Sequence, residues 1–295
     1  MRYKDITIII PTYNRAKELA LTLPSYIENK NIREIIIVNN GSTDETGDVI
    51  QSFRENNGLI REIKINKKLG APKARTVGIS ETDTEYILFG EDDVYLLSDY
   101  TDILYKQLKK FSCDIISGKI INVKVDSQYK IKDYINNINT QNFIGFPQDF
   151  KPFKLSEKPF DFGMPIEVPF THAIVLTKKS ICNNVAFDSF YTFGNGYREE
   201  TDFFLSARKY GAKILFTPDT SCYHIRGSLG QSGGQRINRL FIEFWSIYNT
   251  WYMLKKHWDI LSDDFELKHG PLFNTLIYLI HREYGYLSRL IKGKY

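Results

Sequence analysis

The chain has 295 residues, of which 42% are hydrophobic and 25% are charged, and its formal net charge is +4. A chain of this length and composition can form a stable hydrophobic core without disulfides or structural metal ions. The composition also excludes a largely disordered chain. The net charge is too small to indicate a nucleic-acid-binding protein, so we expect no nucleic-acid partner.

The first hundred residues alternate predicted strands with predicted helices. Continuous runs of β-branched and apolar residues predict buried strands, and apolar residues three or four positions apart predict helices. The predicted strands are Ile6 to Ile10, Glu34 to Val38, Ile60 to Ile65 and Glu85 to Phe89, and the predicted helices are Arg15 to Asn29, Thr43 or Asp44 to Asn56, and Gly70 to Ser80. This alternation predicts βαβ units and an α/β fold, with a mostly parallel sheet flanked by helices.

The rest of the chain has a long irregular segment between further predicted elements. Predicted helices cover Ser98 to Lys110, Glu199 to Tyr210, Gln235 to Trp258 and Pro271 to Lys292, and predicted strands cover Asp114 to Val125, Ala173 to Thr177, Lys213 to Thr217 and Ser221 to His224. Residues from about Asp126 to Pro169 follow no period, and a loop of this length is usually functional or mobile. The segment from Arg226 to Arg236 holds four glycines. It is either a loop that closes over phosphate or a linker to the last helices.

Polar side chains follow three of the predicted strands. Thr12 and Asn14 come after the first strand, Asn39 and Asn40 end the second, and the acidic triplet Glu91 to Asp93 follows the fourth. In parallel sheets ligands collect at the carboxyl ends of strands, so this placement suits a nucleotide site. Asn39 and Asn40 also suit an ordinary turn. Three adjacent carboxylates repel one another unless a cation or a basic group lies nearby.

Six segments, in order along residues 6 to 236, resemble motifs of the family 2 glycosyltransferases, which have a glycosyltransferase-A fold. They are Ile10 to Arg15, Val38 to Asp44, Leu69 to Gly78, Glu91 to Asp93, Arg198 to Phe203, and Pro218 followed by His224. The resemblance implies a catalytic domain over residues 1–235, with a nucleotide-sugar-binding half at 1–97 and an acceptor-binding half at 98–235. A helical extension over residues 236–295 follows.

The resemblance implies an inverting, metal-dependent transfer of a sugar from a nucleotide-diphosphate sugar to an acceptor hydroxyl on a glycan or a lipid-linked molecule. Mn²⁺ or Mg²⁺ would stabilise the leaving diphosphate as a Lewis acid. Asp93 and then Glu91 are the best oxygen ligands, and the resemblance adds His224. The expected nucleotide-binding residues are Pro11, Thr12, Tyr13, Asn14, Arg15, Asn39, Asn40, Lys73, Arg75 and Asp92.

A second acidic cluster would supply the base that takes the proton of the acceptor hydroxyl. Glu199, Glu200 and Asp202 lie in the first turn of a predicted helix, where carboxylates also occur simply because they favour the helix dipole. The resemblance indicates Glu200 as the base, then Glu199, and Asp202 would orient a neighbour or the acceptor. The base of the nucleotide stays open, since the family often has Asp where this chain has Asn39 or Asn40.

Two other functions use similar residues. A sugar-phosphate nucleotidyltransferase needs a glycine-rich basic loop straight after the first strand, and this chain has Pro11-Thr12-Tyr13-Asn14 there. A non-catalytic nucleotide-sugar-binding protein would not need both acidic clusters. No Gly-x-Gly-x-x-Gly follows the first strand, which disfavours a dehydrogenase.

The cysteines and the tail bear on location and partners. Three scattered cysteines, with no long apolar span and no signal peptide, lead us to expect a cytoplasmic protein that can still touch a membrane peripherally. The last predicted helix combines a broad apolar stripe with Arg282, Arg289 and Lys292. We expect the stripe to pack on the catalytic domain or on a second copy of the chain, with weak membrane contact as the alternative.

Overall fold

The computed structural model describes residues 5–124, 143–144, 163–226, 239–264 and 266–291. Most of the irregular segment predicted from Asp126 to Pro169, the glycine-rich segment after Arg226 and the last four residues lie outside this description.

Strands and helices alternate along the chain much as the sequence predicts. The strands are β1 (Ile6–Thr12), β2 (Ile32–Asn40), β3 (Ile60–Ile65), β4 (Tyr86–Phe89), β5 (Val94–Leu96), β6 (Ile115–Lys124), β7 (Phe143–Ile144), β8 (Ile166–Glu167), β9 (Val175–Lys178) and β10 (Ile214–Arg226). The helices are α1 (Ala16–Ile27), α2 (Thr46–Asn56), α3 (Ala71–Ser80), α4 (Tyr100–Phe111), α5 (Lys179–Asn184), α6 (Glu199–Lys209), α7 (Arg239–Lys256), α8 (Trp258–Asp263) and α9 (Gly270–Ile291), and a 3₁₀ turn covers Ser189–Thr192.

One continuous sheet runs through both expected halves of the catalytic domain. Its path is β3-β2-β1-β4-β9-β6-β10-β5, with β7 beside β6 and β8 beside β10. Strands β3, β2, β1 and β4 are parallel, and β9 then runs antiparallel between β4 and β6. Strand β10 is parallel to β6, and β5 is antiparallel to β10. The predicted α/β class with a mostly parallel sheet is confirmed.

Helices cover both faces of this sheet, as the continuous apolar strands require. Side chains of β1 alternate between the two faces: Ile6, Ile8 and Ile10 pack with α1, α2 and α4, and Ile9 packs with α3, α5 and α6. The two resulting layers of core fix the carboxyl ends of β1, β2 and β4 at one edge of the sheet. Loops that leave this edge can therefore share a ligand.

Three details differ from the predicted elements. The two strands predicted on either side of Pro218 form one strand, β10, whose pairing with β6 shifts register between Phe216 and Ser221. A proline has no N–H for the ladder, so the strand accommodates Pro218 at this irregularity. The short elements β5 and α5 and the 3₁₀ turn have no clear period and were not predicted, and the helix predicted from Gln235 to Trp258 is divided into α7 and α8.

Helix α9 packs against α7, but through a different face from the predicted one. Its buried side chains are Asn274, Thr275 and Tyr278, and much of the apolar stripe is exposed. Among the residues that the structure describes, no helix has the length and apolar character needed to cross a membrane. The cytoplasmic location and the division into domains at residues 97 and 235 stay predictions.

A buried histidine near the middle of the sheet makes stability depend on pH. The Nε2 atom of His172 donates to the Gly118 carbonyl (2.9 Å), and its Nδ1 atom accepts from the Ile174 N–H (3.1 Å). Burial lowers the pKa of His172 to about 4, with a smaller contribution from nearby His224. The neutral ring therefore stabilises the fold above the ordinary histidine pKa, and this contribution is lost as the pH falls from about 6.5 towards 4.

We expect the free energy of unfolding to fall by about 2 kcal/mol more between pH 6.5 and 5 in the native protein than in His172→Gln. Urea unfolding at the two pH values measures this difference. Equal losses in the two proteins would show that His172 is not the group responsible.

Candidate active site

The loops after β1 and β2 are held together by hydrogen bonds. The N–H of Asn14 donates to Oγ of Ser42 (3.1 Å), the N–H of Thr43 donates to Oδ1 of Asn14 (2.8 Å), and the N–H of Arg15 donates to Oγ1 of Thr46 (3.0 Å). Asn14 has a φ of 51°, in the left-handed region that asparagine tolerates. These contacts join the segment from Pro11 to Arg15 to the second loop, as a two-loop nucleotide site requires.

The same site extends to the loop after β3. Gly41 has a φ of 81°, and a Cβ there would lie 2.7 Å from the Lys67 backbone, so only glycine lets the two loops approach. Lys68 places its Nζ atom 4.3 Å from the centre of the half-buried Tyr13 ring. Lys73 is exposed on α3, next to this loop.

The side chains of Asn39 and Asn40 are buried and serve the loops. Asn39 donates from Nδ2 to Glu62 (2.8 Å) and accepts at Oδ1 from the Ser42 N–H (3.2 Å). Asn40 accepts at Oδ1 from the Leu69 N–H (2.8 Å). Both residues lie at the predicted site, and these bonds shape its walls.

The acidic loop after β4 is fixed by helix α1. The Tyr26 hydroxyl donates to the Glu91 carbonyl (2.9 Å) and accepts from the Glu91 N–H (3.1 Å), and Thr22 donates to the Asp92 carbonyl (2.8 Å). A Cβ on Gly90 would lie 2.9 Å from the Tyr26 ring, so glycine is needed there. The backbone of the triplet is therefore set by packing that does not involve its carboxylates.

The short strand β5 brings Asp93 and His224 together. It pairs antiparallel with β10, with Val94 opposite His224, and the Ile225 N–H donates to the Asp93 carbonyl (2.9 Å). As a result, Nε2 of His224 lies 3.4 Å from Oδ2 of Asp93. The guanidinium of Arg15 lies 3.8 Å from the same oxygen. Two of the three residues predicted as metal ligands are thus neighbours.

Negative charge accumulates at this edge of the sheet. Burial and the nearby Asp93 carboxylate together raise the pKa of both Glu91 and Asp92 to about 7. The Arg15 guanidinium faces Asp92 and Asp93, whose charges raise its own pKa against the effect of burial. A cation near Asp93 would offset the remaining repulsion.

A divalent cation fits Asp93 and His224 as part of its ligand set. In the described parts of the chain, no group of three His, Cys, Asp or Glu residues could hold a metal ion. Mg²⁺ usually combines one or two carboxylates with substrate phosphates, and an imidazole beside a carboxylate also suits Mn²⁺. The carboxylate of Glu91, the other predicted ligand, lies 3.4 Å from the Arg75 guanidinium.

Arg75 joins the two acidic clusters. Its side chain is only 2% exposed and pairs closely with Glu199, while its NH2 atom lies 3.4 Å from Glu91 and 3.6 Å from Glu200. Phe187 lies against the guanidinium, 5.3 Å away. Arg75 is thus enclosed by carboxylates, where the sequence predicts contact with the diphosphate or the base-binding loop. Carboxylates of the two acidic clusters therefore meet at one cation.

Glu199 and Glu200 differ in exposure. The side chain of Glu199 is 5% exposed, and that of Glu200 is 29% exposed. Burial raises the pKa of Glu199 to about 8, against the opposing charge of Arg75, and the like charge of Glu200 adds to the rise. One guanidinium cannot neutralise three carboxylates, so the most buried of them retains a proton near neutral pH.

Asp202 lies in a separate buried network. It is fully buried, and it accepts hydrogen bonds from the Tyr191 hydroxyl (3.2 Å), Nζ of Lys256 (2.7 Å) and Nε2 of His257 (2.8 Å). These contacts connect α6 to α7 and to the start of α8. The sequence carries no local signal for this network, because its members are far apart along the chain.

We expect Asp202→Asn to lower the free energy of unfolding by about 3–5 kcal/mol, since it leaves the Lys256 ammonium and the buried His257 ring without this carboxylate. Thermal and urea unfolding measure the change. Asp259→Asn, which removes an exposed partner of Lys209, is the matched control and should leave stability almost unchanged. Unchanged stability with loss of activity in Asp202→Asn would instead indicate a direct role in the reaction.

A comparison with protein families shows to which family the chain belongs. The family model described as "Glycosyl transferase family 2" matches residues 7–170, more than half of the chain. The chain belongs to glycosyl transferase family 2. The family, and with it the predicted enzyme class, is confirmed.

Curated relatives of this glycosyltransferase match over less than half of the chain. Glycosyltransferase GlyA of Streptococcus pneumoniae is 36% identical over 115 residues, which are 38% of this chain and 16% of GlyA. Glycosyltransferase GlyG of the same organism is 30% identical over 119 residues, which are 40% of this chain and 39% of GlyG. The chain therefore spans well under half the length of these relatives.

The fold agrees with that of a solved glycosyltransferase structure. The crystal structure of Staphylococcus aureus TarS residues 1–349 in complex with UDP matches with a TM-score of 0.55 and 16% identity, over 88% of this chain and 72% of that chain. At this identity the match concerns the fold alone, and it confirms the predicted glycosyltransferase-A architecture.

Proposed function

We propose that this protein transfers a sugar, with inversion, from a nucleotide-diphosphate sugar to a hydroxyl group of a glycan acceptor in glycan or polysaccharide synthesis. The observation that carries the proposal is the meeting of the two acidic clusters at Arg75, through Glu91 on one side and Glu200 on the other. A donor and an acceptor bound at the two clusters would be adjacent, as a single displacement requires.

In this proposal Glu200 is the general base. Its carboxylate is the more exposed of the two beside Arg75, so it can reach an acceptor hydroxyl and accept its proton as the hydroxyl attacks the anomeric carbon. Arg75 holds the carboxylate in position from inside the protein. Glu199 serves as the buried partner that keeps Arg75 in place.

On the donor side, the loops after β1 and β2 would hold the nucleotide. Arg15, half-buried beside Asp93, and the exposed Lys73 are the cations that can face the diphosphate. Asp93 and His224 would hold a divalent cation, which when bound stabilises the negative charge of the leaving diphosphate. The opposite charges of Asp92 and Arg15 hold the acidic loop close to the loop after β1.

The names of the relatives suggest which donor to test first. The TarS structure contains UDP, and two curated relatives are Staphylococcus aureus enzymes named poly(ribitol-phosphate) beta-N-acetylglucosaminyltransferase TarP and poly-beta-1,6-N-acetyl-D-glucosamine synthase. We therefore propose uridine diphosphate as the first candidate nucleotide for this protein and N-acetylglucosamine as the first candidate sugar.

Two measurements test the proposal. UDP, GDP and CDP are compared in a thermal-shift assay with and without Mn²⁺, and the preferred nucleotide should raise the melting temperature most when the cation is present. UDP-N-acetylglucosamine and UDP-glucose are then incubated with the protein, and release of UDP is followed. Nucleotide binding without sugar release, with or without a panel of oligosaccharide acceptors, would favour a non-catalytic nucleotide-sugar-binding protein.

A further inference from the structure

Helix α9 turns its polar side chains inward and its apolar side chains outward. Asn274, Thr275 and Tyr278 are buried. On the opposite face four large apolar side chains are exposed: Leu272 (74%), Phe273 (47%), Leu276 (51%) and Ile280 (58%). A surface helix of a globular protein normally has the reverse arrangement.

Hydrogen bonds and one ion pair stabilise this orientation. The Asn274 side chain donates to the Lys268 and Gly270 carbonyls (2.6 and 2.9 Å). Arg282 donates to the Tyr278 hydroxyl (3.0 Å) and pairs with Glu243 of α7. The polar face is thus satisfied inside the protein, and rotating the helix to bury its apolar face would break these contacts.

The neighbouring helix α7 also exposes large aromatic side chains, while it buries Met253 and Leu254 in the core. It buries Ser246 and Asn249, which accept from Asn195 (3.0 Å) and donate to the Tyr197 carbonyl (3.0 Å) respectively. Its exposed side chains are Phe241 (48%), Phe244 (60%) and Tyr248 (38%). We call these three residues together with the four exposed residues of α9 the outward apolar face. Aromatic residues of this kind are enriched where proteins meet the membrane–water interface.

Along the sequence, the net charge of the chain lies in its last 29 residues. The 29 residues from Leu267 to Tyr295 contain five Lys or Arg and one Glu, while the 266 residues before them contain 34 residues of each sign. The residues from Leu267 to Tyr295 therefore account for the net charge of +4. A cationic segment with an apolar face matches an anionic lipid surface.

We propose that the outward apolar face binds the surface of a membrane that contains anionic phospholipid, with α9 lying in the plane of the interface. A second copy of the chain is a poorer occupant, because pairing two such faces would bring two segments of charge +4 together. The proposal does not depend on the proposed transferase activity.

Vesicle flotation tests the proposal with the full chain. Vesicles of phosphatidylcholine with about 30% phosphatidylglycerol are compared with pure phosphatidylcholine vesicles, at salt concentrations of about 0.1 M and about 1 M. We expect binding to the anionic vesicles, at least about tenfold weaker binding to the neutral ones, and loss of binding in high salt, where the Debye length falls to about 3 Å. Equal binding to both kinds of vesicle, or binding to neither, would overturn the proposal.

Variants test the face itself. Leu272→Gln, Leu276→Gln and Ile280→Gln combined should weaken binding at least about tenfold, and Lys292→Glu with Lys294→Glu should weaken binding to anionic vesicles alone. The matched control is Met164→Gln with Tyr210→Gln, which changes exposed apolar side chains elsewhere (56% and 54% exposed) and should bind normally. All variants replace exposed residues or charges in the tail, and circular dichroism verifies that each is folded.

Light scattering after size-exclusion chromatography tests whether a second copy of the chain covers the outward apolar face. A native dimer that becomes a monomer in the triple glutamine variant, with no vesicle binding by the native protein, would mean that a second copy covers the face and would overturn the proposal.

Discussion

Replacing Glu200 with glutamine is expected to lower kcat by a factor of about 10² to 10⁴, while the dissociation constant for the nucleotide stays nearly unchanged. Glutamine keeps the shape of the side chain and its contact with Arg75 but cannot accept the acceptor's proton. The carboxylate lies 3.6 Å from the Arg75 NH2 atom and is 29% exposed, so it faces the acceptor side. Initial rates at saturating donor and acceptor, with calorimetric titration of UDP, separate the two effects.

Glu199→Gln is the matched control for this prediction. It changes the adjacent residue in the same way, at the same guanidinium. Because burial raises the pKa of Glu199 to about 8, this side chain is already protonated near neutral pH, and an amide imitates it closely. We expect its kcat to stay within about tenfold of the native value. A large loss of kcat in Glu199→Gln with little loss in Glu200→Gln would reverse the two roles.

The sheet could be predicted in large part because buried parallel strands are continuous apolar runs. Strand β3 has the predicted bounds, Ile60–Ile65, and β1 and β2 are longer than predicted by two to four residues. Their extensions include Thr12 and Asn40, polar residues that a hydrophobicity pattern assigns to a loop. Strand β5 could not be predicted, since its three residues pair with the distant β10 and have no period of their own.

The components of the site were more predictable than their contacts. The carboxyl-end rule identifies the acidic triplet and the two loops, and the structure brings them to one edge of the sheet. The rule says nothing of Arg75, whose surroundings depend on the meeting of α3 with the start of α6. The rule also does not predict the contacts of Asp202, which the sequence groups with Glu199 and Glu200. Its partners come from α7, from His257 just before α8, and from the 3₁₀ turn instead.

Connectivity through the sheet explains why such distant residues can act together. His224 lies beside Asp93 because β10 pairs with β5. Arg75 contacts Glu200 because α3 and α6 pack on the same face of the sheet. The donor and acceptor sides are therefore parts of one core. Small shifts in that core would change both clusters at once.

Asp93→Asn is expected to abolish the Mn²⁺-dependent part of UDP binding and sugar release, and at the same time to raise the melting temperature of the free protein. Asp93 lies 3.4 Å from His224. A carboxylate and an imidazole at this distance suit a divalent cation. The charge of Asp93 also raises the pKa of Glu91 and Asp92, so its removal relieves repulsion among three adjacent carboxylates. A gain in stability with a loss of function is typical of a residue kept for its chemistry.

The measurements are thermal unfolding without metal, UDP titration with and without Mn²⁺, and activity of the native protein after treatment with EDTA. Asp219→Asn, which removes an exposed-side carboxylate that contacts Gln107, is the control, and it should change neither the metal dependence nor the activity. Full activity of the native protein in EDTA, or an undiminished Mn²⁺ effect on UDP binding in Asp93→Asn, would show that Asp93 does not hold a cation. The negative charge at this edge would then have to be balanced by groups of the protein itself, among them Arg15 and Arg75, which contact the acidic loop.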